Sequence, residues 1–422
     1  MRILVVSQYF WPENFRINEL VAELVARGHE VTVLTGRPNY PGGSVFREFK
    51  ANPEAFSVYK GAQIIRAPLI PRGVGRGLKL IANYLSFVLT ASIVGCWRLR
   101  RHEVDAVFVF EPSPVTVGLP AVLLGRLKRA PVAMWVLDLW PETLSAVGVV
   151  KSPALLGAVG RLVSFIYDRC ALILVQSKAF VPTVLKYCRR PGSAEKVKYF
   201  PNWSEQVFKA TDDEPAAEVP WRPDLFTVLF AGNVGEAQDF SAVLDAAERL
   251  KQNSQVRWVI VGHGRALDWV HSEVRRRGLT DVFLPGYFPL ERMPSFFRHA
   301  DALLVSLRRD PVFAMTIPGK AQSYLQAGIP IVGMLDGEGA RIIEEAGAGL
   351  VCAAGDSDGL ARAVVRLASM DPSARQAMGK KGVSYASQEF DRGTIISRLE
   401  VLLASTQPSR FVAGETLPQR RG

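Results

Sequence analysis

The chain has few cysteines and few histidines, four and five in 422 residues. Its cysteines, Cys96, Cys170, Cys188 and Cys352, stand apart, with no Cys-x-x-Cys pair and no histidine at metal-ligand spacing. These gaps exclude a disulfide-built scaffold and a zinc-finger protein, and they indicate buried thiols in a reducing compartment. No group of His, Asp and Glu has the spacing of a metal site, so we predict neither a metal nor a cofactor.

A long apolar run is missing at the N-terminus. Residues 1–7 are too short an apolar stretch for a signal peptide, and we interpret them as the first buried strand of a cytoplasmic enzyme. Basic runs interleaved with aromatic residues are also missing, which argues against a single-strand nucleic-acid binder. The content of 48% apolar and 22% charged residues is typical of a globular protein, and the length predicts two or three domains.

Acidic residues are scarce in the first half of the chain. Residues 1–200 hold 26 Lys and Arg but 13 Asp and Glu, a net charge of +13, whereas the remainder holds 25 and 27, a net charge of −2. A solvated surface would explain this asymmetry without a function. The alternative is attraction to an anionic partner, such as phospholipid headgroups, a phosphorylated acceptor or nucleic acid.

Apolar segments of strand length alternate with amphipathic stretches along the chain. A helix over 17–27, ended by Gly28, is one example of the intervening pattern. Such a series predicts α/β architecture, with doubly wound parallel sheets covered by helices on both faces. The predicted strands are 3–7, 30–35, 62–66, 106–110, 131–137, 172–176, 227–231, 257–261, 282–284, 302–306, 330–333 and 350–352.

A stretch rich in Pro and acidic residues, 201–223, separates two halves of this pattern and indicates a hinge with an exposed connector. We predict an N-terminal domain over 1–203 and a C-terminal domain over 204–385. A helix over 386–404 is expected to cross back to the N-terminal domain, followed by a flexible tail over 405–422. Two facing domains of this kind form a cleft at the carboxyl ends of their strands, where ligands bind.

The segment 317–332 predicts a helix that begins at Pro318, Gly319 and Lys320 and ends at Gly328. A helix N-terminus offers free N–H groups and a positive dipole end, which suits a phosphate. Gly319 permits close approach of a ligand to the backbone, and Lys320 adds a positive charge. The simpler interpretation is an ordinary αβ unit with a well-stopped helix.

Three further glycine turns follow predicted strands of the same half. None has the spacing of a dinucleotide fingerprint, and each alone is weak evidence. Because they follow consecutive strands, we expect all four turns to converge and to bind a nucleoside diphosphate, with one loop for the base. The turn after strand 227–231 contributes Gly232, Asn233 and Gly235. The turn after strand 257–261 contributes Gly262, His263 and Gly264, and the turn after strand 282–284 contributes Gly286 and Tyr287.

Carboxylates follow two predicted strands of the N-terminal half. Asp138 and Glu142 come after one strand, and Glu111 ends another. A carboxylate at the carboxyl end of a strand is a candidate acid, base or hydroxyl-binding group. The alternative, a helix cap or a loop contact, stays open for Glu142 and is favoured for Glu111.

The segment 80–97 is almost uncharged, with Arg72, Arg76 and Lys79 before it and three arginines after it. Its length is at the threshold for crossing a bilayer, but strands resume on both sides and Asn83 is polar. We favour a helix that lies in the membrane surface, with the flanking arginines extended towards the headgroups. An apolar core helix is the alternative.

These motifs resemble those of the retaining glycosyltransferases of family four, which have the GT-B fold of two facing doubly wound domains. The resemblance extends from Met1 to about Leu403. A subgroup that builds O-antigen, capsule and colanic-acid-type polysaccharides, described as N-acetyl-L-fucosamine transferases, is more similar still. The motifs of the family lie at 27–35, 230–235, 300–306 and 320–330, and those of the subgroup at 8–13, 37–43 and 137–142.

The resemblance implies a UDP-sugar donor in the C-terminal domain, an undecaprenyl-pyrophosphate-linked acceptor near the N-terminal domain, retention, and no metal. Lys320 would hold the donor diphosphate, which backbone amides and cationic groups stabilise as it departs. Asp138 is our candidate for orienting the acceptor. We expect the enzyme at the inner face of the cytoplasmic membrane, attached peripherally to an anionic surface.

The chain departs from the family pattern at several positions. The family carries two glutamates at the positions of Met315 and Ser323. The second of these in chain order, at the position of Ser323, normally bonds the ribose. Asn233 and Gln238 stand where an Arg and a Lys are usual. We expect compensation from neighbouring side chains: Arg308 or Arg309 beside Lys320, Gln322 or Ser323 at the ribose, and Arg16 at a phosphate.

Two rival functions stay open from the sequence. One is a UDP-sugar 2-epimerase of similar fold, which would need cleft acids and no membrane. The other is a non-catalytic module that binds sugar nucleotides or membranes, motivated by the missing glutamates.

Overall fold

The computed structural model describes residues 1–73, 77–146, 148, 150–209, 214–220, 222–251 and 255–407. Three predicted features lie outside the described residues. They are Arg76, part of the connector over 201–223, and most of the tail over 405–422. Within them the chain forms two α/β units, each built on its own sheet. Every predicted strand is present, with bounds that differ by at most two residues.

The N-terminal sheet has eight strands among the described residues, in the order β3-β4-β2-β1-β5-β6-β7-β8. All neighbours are parallel except β3, which pairs antiparallel with β4. Two short edge strands, β3 and β8, were not predicted, because two or three residues carry too little pattern to be recognised. The strands are β1 Arg2–Val6, β2 Glu30–Gly36, β3 Val58–Tyr59, β4 Ala62–Ala67, β5 Ala106–Glu111, β6 Val132–Val136, β7 Leu172–Val175 and β8 Val197–Tyr199.

Helices cover both faces of this sheet, so its central strands are buried on both sides. Helices α3, α4, α6 and α7 pack on one face, and α1 packs on the other. These helices are α1 Arg16–Ala26, α2 Arg47–Ala51, α3 Gly77–Arg98, α4 Gly118–Lys128, α5 Glu142–Ala146, α6 Pro153–Tyr167, α7 Phe180–Tyr187 and α8 Ser193–Lys196.

In the described ranges the C-terminal sheet has six strands, all parallel, in the order β11-β10-β9-β12-β13-β14. Strands β9 to β12, consecutive in the chain, are therefore neighbours in the sheet. The strands are β9 Phe226–Asn233, β10 Val256–His263, β11 Val282–Gly286, β12 Ala302–Ser306, β13 Ile331–Met334 and β14 Gly349–Cys352.

The remaining helices cover both faces of the second sheet. Helices α9, α10 and α15 pack on one face, and α11, α13, α14 and α16 on the other. They are α9 Phe240–Arg249, α10 Leu267–Arg277, α11 Met293–Phe297, α12 Pro311–Met315, α13 Gly319–Ala327, α14 Glu338–Glu345, α15 Ser357–Ala368, α16 Pro372–Glu389 and α17 Arg392–Ser405.

The helix predicted over 386–404 is in fact two helices. Helix α16 continues to Glu389, and Asp391 then caps α17 by accepting a hydrogen bond from the N–H of Thr394. Helix α17 buries Ile396 and Leu399 in the core of the N-terminal sheet, on the α1 face. The last helix therefore belongs to the first sheet, although it follows the second in sequence.

Strand ends of the N-terminal sheet face the C-terminal unit. Ser177, just after β7, donates a hydrogen bond to the carbonyl of Met315, and the N–H of Lys178 donates to Glu338 at 3.2 Å. Met315 also packs against the N-terminal core. One of the two positions where a glutamate was expected is thus an apolar contact between the two units.

Candidate active site

A cavity of about 380 Å³ lies at the carboxyl ends of β9, β10 and β11 and beside the start of α13. The four predicted glycine turns converge here, because the strands that precede them are neighbours in the sheet. Each of the four turns therefore contributes at least one residue to the same cavity. The predicted donor residues that line the cavity are Gly232, Asn233, Gly262, His263, Tyr287, Gly319, Lys320 and Ser323.

The turns after β9 and β10 pack so closely that only glycine fits. A side-chain carbon at Gly262 would lie 1.8 Å from the carbonyl oxygen of Gly232, and the φ angle there is +147°. Gly232 itself has a φ of +135°. Bare backbone therefore forms one wall of the cavity, where a diphosphate can approach N–H groups.

Helix α13 begins at the cavity. Pro318, its N-cap residue, makes no side-chain capping bond, and the space beside Gly319 is open. The hydroxyl of Tyr324, one turn further, donates to the carbonyl of Ala231 at 3.1 Å and accepts from its N–H at 2.9 Å. The helix start is therefore anchored to β9, with its first N–H groups available to an anion.

Lys320 has a buried ammonium group without a hydrogen-bond partner among the described residues. Its Nζ lies 3.6 Å from the ring centroid of Phe230, and a side-chain carbon at Gly232 would be 3.3 Å from it. Burial lowers the pKa of Lys320 from 10.5 to about 7. No other Lys or Arg lines the cavity among the described residues. An anion bound here would supply the missing partner and restore the charge.

Glu205 also lines this cavity, although no motif in the sequence marks it. Its carboxylate accepts a hydrogen bond from Ser323 and forms an ion pair with Arg16 at 2.6 Å. Glu205 lies in the predicted hinge region, 201–223, far in sequence from α13. A carboxylate is thus present beside the position where the family carries one on the helix, and Arg16 is engaged with it.

Several predicted donor residues do not line the cavity. Gln322 is 1% exposed and donates to the carbonyl of Asn202 at 2.7 Å, which binds α13 to the hinge. The carboxamide oxygen of Gln238 accepts from the N–H of Gly235 at 3.1 Å and so closes that turn. The turn residues Gly235, Gly264, Gly286 and Pro318 likewise lie outside the lining. They shape the loops around the cavity.

The two arginines expected beside Lys320 are engaged elsewhere. Arg309 donates to the carbonyl of Ala354 at 3.2 Å, and Arg308 lies over the ring of Phe313. Neither lines the cavity.

His263 and Tyr287 form an aromatic pair at the cavity, with ring centroids 4.5 Å apart and planes at 76°. The Tyr287 side chain is 62% exposed although it is large and apolar. An exposed ring at a cavity edge offers a stacking surface for a flat heterocycle.

On the N-terminal side, Asp138 lies beyond the end of β6. Its carboxylate accepts hydrogen bonds from Thr143 at 2.6 Å and from the indole of Trp140 at 3.1 Å. Burial raises the pKa of Asp138. Nearby Glu111 is fully buried, and burial together with the charge of Asp138 raises its pKa well above the usual value.

Glu142 is bound to its own domain. It accepts a hydrogen bond from the Tyr187 hydroxyl at 2.7 Å and lies 3.4 Å from Lys186. Both partners lie on α7, so Glu142 makes a contact between two helices, a structural role of the kind that the sequence left open beside an acceptor role. Its role as an acceptor-binding group stays a prediction.

An aromatic cluster lies beside Asp138. Tyr9 stacks on Phe15 at 5.2 Å between centroids, and Arg72 lies 4.7 Å from the ring centroid of Tyr40. Tyr84 of α3 lies 6.4 Å from Trp140. Helix α3 thus contacts the tryptophan that donates to Asp138.

Helix α3 has one buried side and one apolar exposed side. Asn83, Phe87, Ala91 and Gly95 are buried, and Asn83 donates to the carbonyl of Ile70 at 2.6 Å. By length and composition the helix could cross a membrane, which is weak evidence because core helices pass the same test. Its large exposed side chains are Leu78, Ile81, Leu85, Leu89, Ile93 and Trp97.

Two family models match the chain, one in each unit. "Glycosyl transferase 4-like domain" matches residues 14–203, and "Glycosyl transferases group 1" matches residues 226–370. A protein of Escherichia coli (strain K12) named as the colanic acid biosynthesis glycosyl transferase WcaI is 27% identical over 345 residues. That match covers 78% of this chain and 82% of WcaI.

Solved structures share the architecture across 96% of this chain. HepE from Anabaena, in complex with UDP and glucose, has a TM-score of 0.66 at 17% identity and is covered completely. Sucrose-phosphate synthase from Thermosynechococcus elongatus has a TM-score of 0.70 at 15% identity, with 99% of it covered. At these identities the likeness shows the shared GT-B fold.

Proposed function

Because the chain belongs to the family-four glycosyltransferases and has the GT-B fold, we propose that it transfers a sugar from a UDP-sugar to a lipid-linked saccharide with retention. The proposed acceptor is an undecaprenyl-pyrophosphate-linked chain in bacterial surface polysaccharide synthesis. The transferred sugar is proposed to be a hexose or an N-acetylated hexosamine, including a deoxy sugar. The similarity to WcaI supports the polysaccharide context.

The observation that carries the proposal is the ammonium of Lys320, which has no partner in the described part of the chain and lies beside a glycine-lined helix N-terminus. A nucleoside diphosphate supplies what this arrangement lacks, an anion with oxygens in reach of backbone N–H groups. Structures of HepE contain UDP and UDP-glucose, which supports a UDP-sugar as donor.

We assign the ribose to Glu205 and Ser323. A carboxylate accepts hydrogen bonds from both hydroxyls of a cis-diol, and this one lines the cavity beside Ser323, which lies about one helical turn after Lys320. The base would stack on Tyr287. Glu205 then fulfils the role for which the sequence suggested Gln322 or Ser323 alone.

During transfer, charge develops on the oxygen between the sugar and the β-phosphate. The ammonium of Lys320 and the N–H groups of α13 stabilise that charge, since they are fixed before the reaction. The leaving phosphate takes the proton of the acceptor hydroxyl, so no dedicated base is required. Asp138 orients that hydroxyl from the N-terminal side of the cleft.

We further propose peripheral attachment to the inner face of the cytoplasmic membrane through the exposed side of α3. Its apolar side chains recur every three or four residues, so they form one stripe along the helix. Lys79 and Arg98 at its ends place positive charge at headgroup level. Tyr84, on the same helix, connects the proposed membrane side to Trp140 beside Asp138.

The test is incubation of the purified protein with several UDP-sugars and a synthetic polyprenyl diphosphate saccharide. Sugar added to the lipid with retained configuration supports the proposal. An isomerised donor without lipid product would identify a 2-epimerase, and binding without turnover would identify a non-catalytic module. Thermal stabilisation by individual donors selects the sugar to use, because a ligand of the folded state raises apparent stability.

A further inference from the structure

A second groove, of about 790 Å³, lies between α4 and α6 on the sheet face that carries α3. Four arginines line it and no carboxylate does. Its apolar wall includes Leu119, Val122, Leu123 and Phe165. The lining arginines are Arg126, Arg129, Arg169 and Arg190.

None of these arginines forms an ion pair within the described part of the chain. Arg169 lies 3.6 Å from the ring centroid of Phe165 and donates to the carbonyl of that residue at 2.9 Å. The neighbouring acid, Asp168, accepts from the N–H of Arg189 at 2.8 Å and does not line the groove. Four guanidinium groups thus surround one groove without a counter-charge, an arrangement that favours a bound anion.

The groove is continuous with the proposed membrane side. Helix α4 packs on α3, so closely that a side-chain carbon at Gly95 would lie 2.8 Å from Leu124. Leu123 and Phe165 on the groove wall are 39% and 42% exposed, and Leu127 beside them is 58% exposed. A lipid in contact with α3 would therefore find apolar and cationic surface on the next helix.

We propose that this groove binds the phosphodiester headgroup of an anionic glycerophospholipid, with its acyl chains against Leu123 and Phe165. Guanidinium groups match phosphate oxygens two at a time and are weakly hydrated, which suits this position. The site would also use part of the positive charge of residues 1–200, which the donor cavity leaves unexplained. The inference rests on the proposed membrane attachment.

The probe for this site is monomeric dihexanoyl phosphatidylglycerol, a short-chain anionic lipid that needs no bilayer. We expect it to bind the full-length protein and to raise its melting temperature, while dihexanoyl phosphatidylcholine does not. The double variant R126Q/R169Q should bind it at least about tenfold more weakly, because two charge-assisted contacts are lost. Both arginines are exposed, so the variant should fold and bind UDP like the wild type.

The matched control is R100Q/R101Q, which removes the same charge just after α3 and outside the groove. Equal weakening in both variants, or in neither, would overturn a specific site. Binding of free glycerol phosphate as tightly as the short-chain lipid would overturn the lipid assignment in favour of a small anion.

Vesicle flotation separates this inference from the proposed function. Wild-type protein should bind phosphatidylcholine vesicles weakly and phosphatidylglycerol-containing vesicles more strongly, and R126Q/R169Q should lose most of the difference. Absence of any vesicle binding would refute the membrane attachment itself. Strong anionic binding that is unchanged in R126Q/R169Q would refute only the groove.

Discussion

Replacement of Lys320 by methionine should stabilise the protein and weaken donor binding at the same time. Methionine keeps the length and the apolar stem of the side chain and removes the ammonium, whose Nζ has no partner among the described residues. If Lys320 had a purely structural role, its replacement would not raise the stability of the protein while weakening donor binding.

The stability change follows from the two pKa values of Lys320, 10.5 in an exposed state and about 7 in the folded protein. Below pH 7 Lys320 is protonated in both the folded and the unfolded chain. Burial of its charge then lowers the free energy of unfolding by its full amount, about 5 kcal/mol at most. The cost disappears as the pH rises towards 10.5, where the unfolded chain also loses its proton. In the methionine variant, loss of the cation–π contact with Phe230 offsets about 1–2 kcal/mol of this gain in stability. We expect a net gain of about 3 kcal/mol at pH 6.5 and little change at pH 10.

Donor binding should change in the opposite direction. At pH 6.5 the variant should bind UDP about 10- to 100-fold more weakly, since a charged contact to phosphate contributes about 1.5–3 kcal/mol. For the wild type, affinity should fall above pH 7, because the neutral amine must take up a proton when the diphosphate binds. The variant should lack that uptake. Glu205 and His263, which line the same cavity, are present in both proteins, so the difference between the two isolates Lys320.

The assays are thermal unfolding at pH 6.5 and 10, and calorimetric titration with UDP at pH 8 in buffers of different ionisation enthalpy. K380M, at an exposed lysine of α16, is the control and should change neither quantity. Strong destabilisation by K320M at pH 6.5 would show that the ammonium has a structural partner. Unchanged UDP affinity would remove Lys320 from the diphosphate site.

Three further predictions test the other parts of the cleft and the membrane side. Glu205→Gln should weaken UDP binding about 10-fold or more but leave 2′,3′-dideoxy-UDP unaffected, whereas Ser323→Ala should have a smaller effect on both, as measured by titration. Asp138→Asn should lower transfer to the acceptor about 100-fold at unchanged UDP affinity, and a parallel loss of UDP binding would contradict an acceptor role. L85E/L89E should reduce partition onto neutral vesicles about 100-fold, because two exposed apolar side chains lose their burial in lipid, and equal flotation of variant and wild type would refute attachment through α3.

The sequence identified most of the donor half because each signal is local. A glycine turn after an apolar strand and a glycine-stopped helix depend on a few consecutive residues, and Gly262 shows why glycine is required there. The alternation of strands and helices likewise predicted two parallel sheets, since that connection leaves few other arrangements. Lys320 was recognised from its position at a helix start, without knowledge that its ammonium lacks a partner.

The remainder depended on residues far apart in the chain. Glu205 stands in a hinge without any motif, and only the packing of the hinge on α13 brings it to Ser323. The same packing turns Gln322 away from the cavity. The four arginines of the groove form no ion pair within the described residues, and they come from α4, from the loops that follow α4 and α6, and from the residues after α7. The composition shows only the total charge to which they contribute.

The sequence by itself determined the two α/β units, the glycine turns and the lysine at the head of α13, because those features are written in local pattern and periodicity. The tertiary structure decided which side chains share the cavity beside α13, which side of α3 is exposed, and which residues of α17 pack in the core of the first sheet. Those outcomes are set by contacts between distant segments, whose burial and charge cannot be assigned until the chain has folded.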